Sequence, residues 1–289
     1  MVAAPSPSPF AYILLDVFTD TPLQGNQLAV FSDARGVDEQ DMQRLARELN
    51  LSESVFVFAP EQGGDARIRI FTPAAELPFA GHPVLGTAIV LGQQLGKDTI
   101  TLETPGGHVP VRLRLAGSEE RVGFGRMRQP IPTWEAFARE RELLAALGVE
   151  HSGLPVEVYT NGPHHVYVEL DSVDSVAALA PNMAALAALG QLDASCFAGS
   201  SKHWKTRMFA PALGVPEDPA TGSAAGPLAV HLSRHGRIAF GTEIEISQGH
   251  EIGRPSLLYA CAEGSGEQLE RVDVGGFAVI VGRGEFVLG

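Results

Sequence analysis

PEDPATGSAAG, from Pro216 to Gly226, is the stretch on which the reading of this chain turns. An acid pair and a proline stop precede the small residues Thr221 to Gly226, and the apolar segment LAVHL follows. Small hydroxyl and glycine residues in front of an apolar segment build a helix start that can lie against a ligand. The first N–H groups of a helix are unsatisfied, and its dipole favours an anion there. Close helix packing calls for the same residues, so the stretch alone leaves both readings open.

Outward from this stretch, a second copy of the pattern changes the weighing. Arg207 to Leu232 runs Arg-x-Phe-x-Pro, loop, glycine turn, small-residue helix, and Arg69 to Gly96 follows the same plan. Phe71-Thr72-Pro73 answers Phe209-Ala210-Pro211, and Gly81-His82 answers Gly222-Ser223. Val17-Phe18-Thr19 answers Val158-Tyr159-Thr160, and Thr101 to Gly107 answers Glu245 to Gly249. The pairs keep their order at offsets of about 140 residues, which reads as a duplication. Two similar domains are expected, residues 1–128 and 129–289, joined near Arg126 to Thr133 where two prolines interrupt regular structure. The last strand is a candidate to return to the first domain.

Between these anchors, strands are expected at Ala11 to Phe18, Leu28 to Phe31, Ser54 to Pro60 and Ala66 to Phe71. Met42, Leu45, Ala46 and Leu49 lie on one face of a helix from Asp38 to Leu49, with Asp38 or Asp41 as cap or dipole partner. Further helices are expected from Glu135 to Leu147 and from Asp174 to Leu189. Glu53 falls at the joint between a helix and an apolar strand. It is either a solvated loop residue or a carboxylate held at a pocket edge, and base rates favour the first.

With 289 residues, 45% of them hydrophobic, the chain is long enough for two packed cores. A formal net charge of −13 argues against nucleic acid or an anionic membrane as partner. The apolar runs are broken well short of a membrane span. No secretory apolar region stands near the N-terminus, and Ala4 to Pro9 reads as a loose leader. Cys196 and Cys261 show neither ligand nor CxxC spacing, so they read as small buried hydrophobes of a reduced, cytoplasmic protein.

Duplicated domains tend to place matching elements about a pseudo-twofold axis, so the Gly81 and Gly222 turns would face each other across a cleft. Two converging helix starts can hold a carboxylate and stabilise negative charge developing beside it. A reaction that removes a proton there also needs an acid and a base. The candidates are Glu53, His82, Asp218 and Ser223. His82 before Pro83 could instead cap a helix, and Asp218 before Pro219 could be a turn residue.

Taken together, DVFTDTPLQGNQLAVF (Asp16 to Phe31), NLSESVFV (Asn50 to Val57), FAGHPVLGTA (Phe79 to Ala88), EDPATGSAAG (Glu217 to Gly226) and QGHEIGRPS (Gln248 to Ser256) resemble the phenazine-biosynthesis isomerase (PhzF-like) family. The resemblance covers nearly the whole chain, with the motifs in order. It implies an α+β, diaminopimelate-epimerase-like fold of two pseudo-symmetric domains, each a β-structure wrapped around a central helix, with the active site in the interdomain cleft. It implies a homodimer and a cofactor-independent, metal-free isomerase of a small carboxylate-bearing cyclic substrate such as trans-2,3-dihydro-3-hydroxyanthranilate. The family's catalytic glutamate, histidine and aspartate carry over to Glu53, His82 and Asp218. Its substrate-binding serine carries over to Ser223, and the backbone at Gly81 and Gly222 would hold the carboxylate. Distant epimerases of this fold use a cysteine pair just before the helix-start glycines. Here those positions are Ala80 and Thr221, which disfavours a two-thiol racemase.

Two other readings stay open: an amino-acid epimerase with a second base from His82 or Asp218, and a non-catalytic protein that kept the cleft. Burial beside Phe56 or a neighbouring wall would raise the Glu53 pKa into a working range. Leu28, Pro163, His164 and Trp204 are candidate wall residues, and Arg254 is placed to hold either an anionic substrate or a loop. His231 and His235 have the spacing of a zinc pair but no visible third ligand, so no metal is expected. His164 and His165, adjacent in a strand, point to opposite faces. No GxGxxG or P-loop is present, which removes the usual nucleotide cofactors.

Overall fold

The computed structural model describes residues 10–115 and 122–288. The leader expected at Ala4 to Pro9 lies outside the described residues. The first half of the chain forms β1 (Phe10–Val17), β2 (Asn26–Phe31), α1 (Glu39–Leu49), β3 (Glu53–Phe58), β4 (Ala66–Phe71) and β5 (Glu76–Leu77). It continues with α2 (Gly81–Leu95), β6 (Thr99–Thr104), β7 (Gly107–Leu115) and β8 (Val122–Arg128). The second half begins with β9 (Thr133–Ala136), α3 (Glu140–Leu147), β10 (Glu157–Thr160), β11 (His164–Glu169), α4 (Val173–Ala177) and α5 (Met183–Ala187). Then come β12 (Asp193–Ser200), β13 (His203–Ala210), β14 (Val215–Asp218), α6 (Gly222–Arg234), β15 (Ile244–Gln248), β16 (Ser256–Ser265) and β17 (Gln268–Phe286).

The two halves repeat one ladder. β2 runs parallel to β3, as β11 does to β12. β3 and β4 are antiparallel, as are β12 and β13. β4 is parallel to β6, as β13 is to β15, and each set closes through antiparallel hairpins. Even the register matches: Ser54 faces Phe71 where Ala194 faces Phe209. The duplication read from the sequence is therefore present in the backbone hydrogen bonding.

The closing strands cross between the halves. β17 pairs with β16 through its first part and with β1 through its last, where Phe10 meets Phe286. The first half makes the reciprocal crossing in two pieces. β8 pairs with β7, and after Pro130 and Pro132 β9 pairs with β10. Proline cannot donate to a ladder, which accounts for the break. This crossing overturns the helix expected from Glu135: Thr133–Ala136 is extended, and the helix is confined to Glu140–Leu147. The helix expected from Asp174 to Leu189 is two short ones, separated at Pro181. Ser172 and Asn182 cap them, accepting from the backbone N–H of Ser175 and Ala185.

α2 and α6 are apolar or small on every side, as buried helices must be, and Gly81 to Gly92 and Gly222 to Ser233 are buried. Both sit within one large core. Pro227 inside α6 leaves the Ser223 carbonyl without its helical donor. The buried Asn161 amide donates to it at 2.9 Å, so the helix keeps the proline without an orphaned acceptor. α1 covers the other sheet face through Met42, Leu45 and Ala46, and Asn50 ends it in the left-handed region at φ 50°. That stop puts Glu53 at the first position of β3.

Candidate active site

Ala80 and Thr221 stand at the N-caps of α2 and α6, and neither helix is capped by a side chain. The two starts meet end to end. A Cβ on Gly81 would lie 2.5 Å from the Gly222 carbonyl carbon and from the Ser223 nitrogen. A Cβ on Gly222 would lie 2.8 Å from the Phe18 ring and 3.1 Å from the His82 nitrogen. Only glycine at both places permits this approach, so the helix starts aim their open N–H ends into shared space. Gln129 ties the join, its side-chain amide donating 2.7 Å to the Gly222 carbonyl.

That space is a cavity of about 320 Å³. Glu53, Gly81, His82, Asp218, Gly222 and Ser223, from four elements and both halves, all line it. Pro163 and His164 are in its wall as expected. Leu28 and Trp204 are not: Leu28 packs where a side chain on Gly86 would go, and Trp204 lies in the core beside Phe197. A more open concavity of about 550 Å³ is lined by Arg112, Arg114, Arg126 and aromatic rings, and it contains neither helix start.

Glu53 shares its strand face with Val55 and Val57, which belong to the core around α2. Phe56 points the other way and stacks on Phe31 beneath α1, so it is not the wall that buries Glu53. Burial nonetheless raises the Glu53 pKa well above that of an ordinary carboxyl, and the negative charges of Asp218 and Asp193 raise it further. Its Oε2 lies 3.3 Å from His82 Nε2, yet neither atom is aligned for a hydrogen bond within the described residues. Both are therefore available to a third group. His82 is pushed down to about 3 by burial, against an opposing backbone hydrogen bond with Gln27, and is neutral near pH 7.

Asp218 is raised to about 6, again by burial first. Hydrogen bonds from Thr221 and Asn26 oppose that shift, Thr221 Oγ1 donating at 2.6 Å and Asn26 Nδ2 at 2.9 Å. Asn26 also lies 3.3 Å from His82 Nδ1 and donates to the Ala220 carbonyl, linking β2, α2 and the loop before α6. Gln248 completes the frame, donating to the Asp218 carbonyl at 2.9 Å and to Thr221 Oγ1 at 3.0 Å.

Sequence reasoning missed Asn26, Gln248 and Asp193 as parts of this site. Asn26 and Gln248 fall inside the quoted motifs but carry no chemistry that marks them. Asp193 carried a usable signal, because it is the repeat counterpart of Glu53: each is the first residue of its strand, one position before the Ser54–Phe71 or Ala194–Phe209 pair.

The remaining candidates resolve without joining the cavity. Arg254 holds a loop, bonding Asp16 Oδ1 at 2.6 Å and the carbonyls of Gln24 and Gly25. Cys196 is buried and its thiol pushed up to about 12 by burial. Cys261 is also raised by burial, and neither sulfur lines the cavity. His231 and His235 do find a third neighbour, Glu157, at 3.2 and 3.0 Å. The same carboxylate oxygen accepts from Arg234 at 2.7 Å and Tyr159 at 3.0 Å. A guanidinium so placed repels a metal cation and makes the cluster an ion-pair clasp.

Residues 15–284 match the PhzC-PhzF family, described as phenazine biosynthesis-like protein. The chain belongs to that family. A PhzC-PhzF relative from Pseudomonas aeruginosa, named trans-2,3-dihydro-3-hydroxyanthranilate isomerase, is 57% identical over 265 residues, covering 92% of this chain and 95% of its own. The crystal structure of a phenazine biosynthesis protein of the PhzF family from Bacillus anthracis superposes with a TM-score of 0.83 at 27% identity, covering 97% of this chain and all of its own. A hydroxyproline epimerase from Agrobacterium vitis shares the fold more distantly, with a TM-score of 0.61 at 11% identity over 97% of this chain and 93% of its own. PhzC-PhzF membership thus comes with a fold of the epimerase type. Among the described residues no helix is long and apolar enough to cross a membrane.

Proposed function

We propose that this chain is an isomerase that moves a proton within trans-2,3-dihydro-3-hydroxyanthranilate, using its own side chains as acid and base. The observation that carries the reading is the pairing of a buried carboxyl of raised pKa, Glu53, with two uncapped helix starts in one cavity. The 57% identical relative bears the name of this activity. An isomerase conserves composition, so a carbon that loses a proton must be matched by another that gains one from the base, which can exchange with solvent in between.

In this reading the substrate carboxylate sits at the starts of α2 and α6, where Gly81, Gly222 and Ser223 offer backbone N–H groups. Glu53 takes the ring proton, and the helix starts stabilise the charge that develops beside the carboxylate. Glu53 then returns the proton at a different carbon, on one side of the ring. Asp218, with a pKa near 6, raises that of Glu53 through its charge, and neutral His82 offers its free Nε2 to a substrate polar group. The same proposal divides the chain at residue 128 into two units that share β17, and has it act as a cytoplasmic homodimer.

The experiment is direct conversion. Purified protein is incubated with trans-2,3-dihydro-3-hydroxyanthranilate and followed by proton NMR. Loss of substrate signals to a product of unchanged mass is expected. Unchanged substrate, with the ligand shown to bind, would leave the chain a binding protein that kept the cavity.

A further inference from the structure

The cavity has a polarity that the proton transfer alone does not require. Its positive end is the pair of uncapped helix starts. Its remaining polar lining includes three carboxyl groups, Glu53, Asp193 and Asp218, and no lysine or arginine. Two of the three are accounted for. Asp218 has both oxygens occupied, by Asn26 and Thr221, and Glu53 is the base of the proposed reaction.

Asp193 is not used. It is 5% exposed, and its strand partner in the parallel β11–β12 ladder is His165, whose ring is fully buried. His165 Nδ1 lies 2.9 Å from Asp193 Oδ2 but is not aligned to donate to it. Among the described residues no other side chain bonds this carboxylate. As the repeat counterpart of Glu53, Asp193 approaches the facing helix starts from the opposite half, and its charge reaches Glu53. Buried carboxylates without a cation are costly, and a ligand that brings one relieves the cost. The unpartnered Nε2 of His82, a residue 4% exposed that lines the same cavity, marks the space as built for a polar ligand.

We propose that Asp193 binds the substrate's amino group as an ammonium, so that the site selects zwitterions over simple carboxylates. This rests on the isomerase reading, in which the named substrate carries an amino group beside its carboxylate. It adds a residue that sets specificity. The carboxylate lies at the helix starts, Glu53 faces the reacting carbons, and Asp193 closes on the ammonium from the other half.

The test uses two unreactive probes, trans-2-aminocyclohexanecarboxylate and cyclohexanecarboxylate, with calorimetric titration of wild type and Asp193→Asn. Wild type is expected to bind the amino probe at least about tenfold tighter, the range of a hydrogen bond to a charged group. Asp193→Asn is expected to lose about tenfold to a hundredfold on the amino probe and less than about twofold on the other. Undiminished binding of the plain carboxylate also shows that the variant is folded. Equal weakening of both probes would overturn the proposal. So would discrimination kept in the variant, or wild type binding both alike. Failure of wild type to convert the dihydroanthranilate while the probes discriminate would instead count against the isomerase reading and leave Asp193 as an ammonium site.

Discussion

The two halves of this molecule share a ladder and differ in what they hang on it. The first residue of β3 is Glu53 and its counterpart in β12 is Asp193. The second residue of α2 is His82 and that of α6 is Ser223. Leu77 faces Ile70 in β5 where Asp218 faces Met208 in β14, an apolar residue against an acid. Ala80 and Thr221 occupy the two N-caps. Backbone pairing, which needs no particular side chain, survived the duplication. The positions that meet a substrate diverged: one side sets Glu53 against a helix-start histidine, His82, and the other sets the shorter Asp193 against a helix-start serine, Ser223. A symmetric two-base racemase would need equal groups on both sides, whereas this asymmetry suits a proton taken and returned on one face.

The asymmetry between the halves is greatest at the base. Glu53→Gln should leave folding and ligand binding intact and lower turnover by about 10²–10⁴-fold, the usual share of general acid–base catalysis. Steady-state rates decide it, and a variant above about a tenth of wild-type rate removes Glu53 from the role. In wild type the acid limb of kcat/KM should lie well above pH 4.5, because the carboxylate form acts and burial disfavours it.

The join between the halves comes next. Gly81→Ala puts a methyl group 2.5 Å from the Gly222 and Ser223 backbone, which has no rotamer by which to move away. Denaturant unfolding should show a loss of about 3 kcal/mol, the upper range for overpacking. A variant as stable as wild type would mean that the two helix starts do not meet as described.

An effect that shows only as the pH is varied concerns Asp218. Its folded pKa of about 6 exceeds the ordinary 3.8, so its ionised form is the one penalised by folding. The contribution Asp218 makes to stability is therefore full below pH 3.8 and lost as the pH rises through about 6. Asp218→Asn does not titrate. Its stability relative to wild type should improve by about 3 kcal/mol between pH 3 and pH 8, about 1.36 kcal/mol for each pH unit between the two pKa values. A difference that is flat with pH would contradict burial as the cause of the shift.

Much of this was legible in the chain, for reasons that can be stated. The repeat was readable because close approach of two helix starts demands glycine at both, and glycine followed by small residues is visible at any distance along a sequence. The six expected site residues cluster around those same starts. The helix expected from Glu135 starts only at Glu140 because the crossing of β9 to β10 is a tertiary event: TWEA has no pattern that separates a short strand from a first helical turn. Asp193 sits outside any small-residue motif, although counting about 140 residues from Glu53 lands on it. Of the two surroundings expected to bury Glu53, Phe56 or a neighbouring wall, the strand alternation leaves the second, since Phe56 faces α1 and Val55 and Val57 share the Glu53 side.

Whether Glu53 moves the proton is decided by deuterium entry into substrate carbon. Wild type and Glu53→Gln are incubated with trans-2,3-dihydro-3-hydroxyanthranilate in deuterated water, and the ring carbons are followed by NMR and mass. Deuterium is expected at carbon with wild type and none above background with the variant. Equal labelling by both proteins would show that another group moves the proton, and would contradict the account.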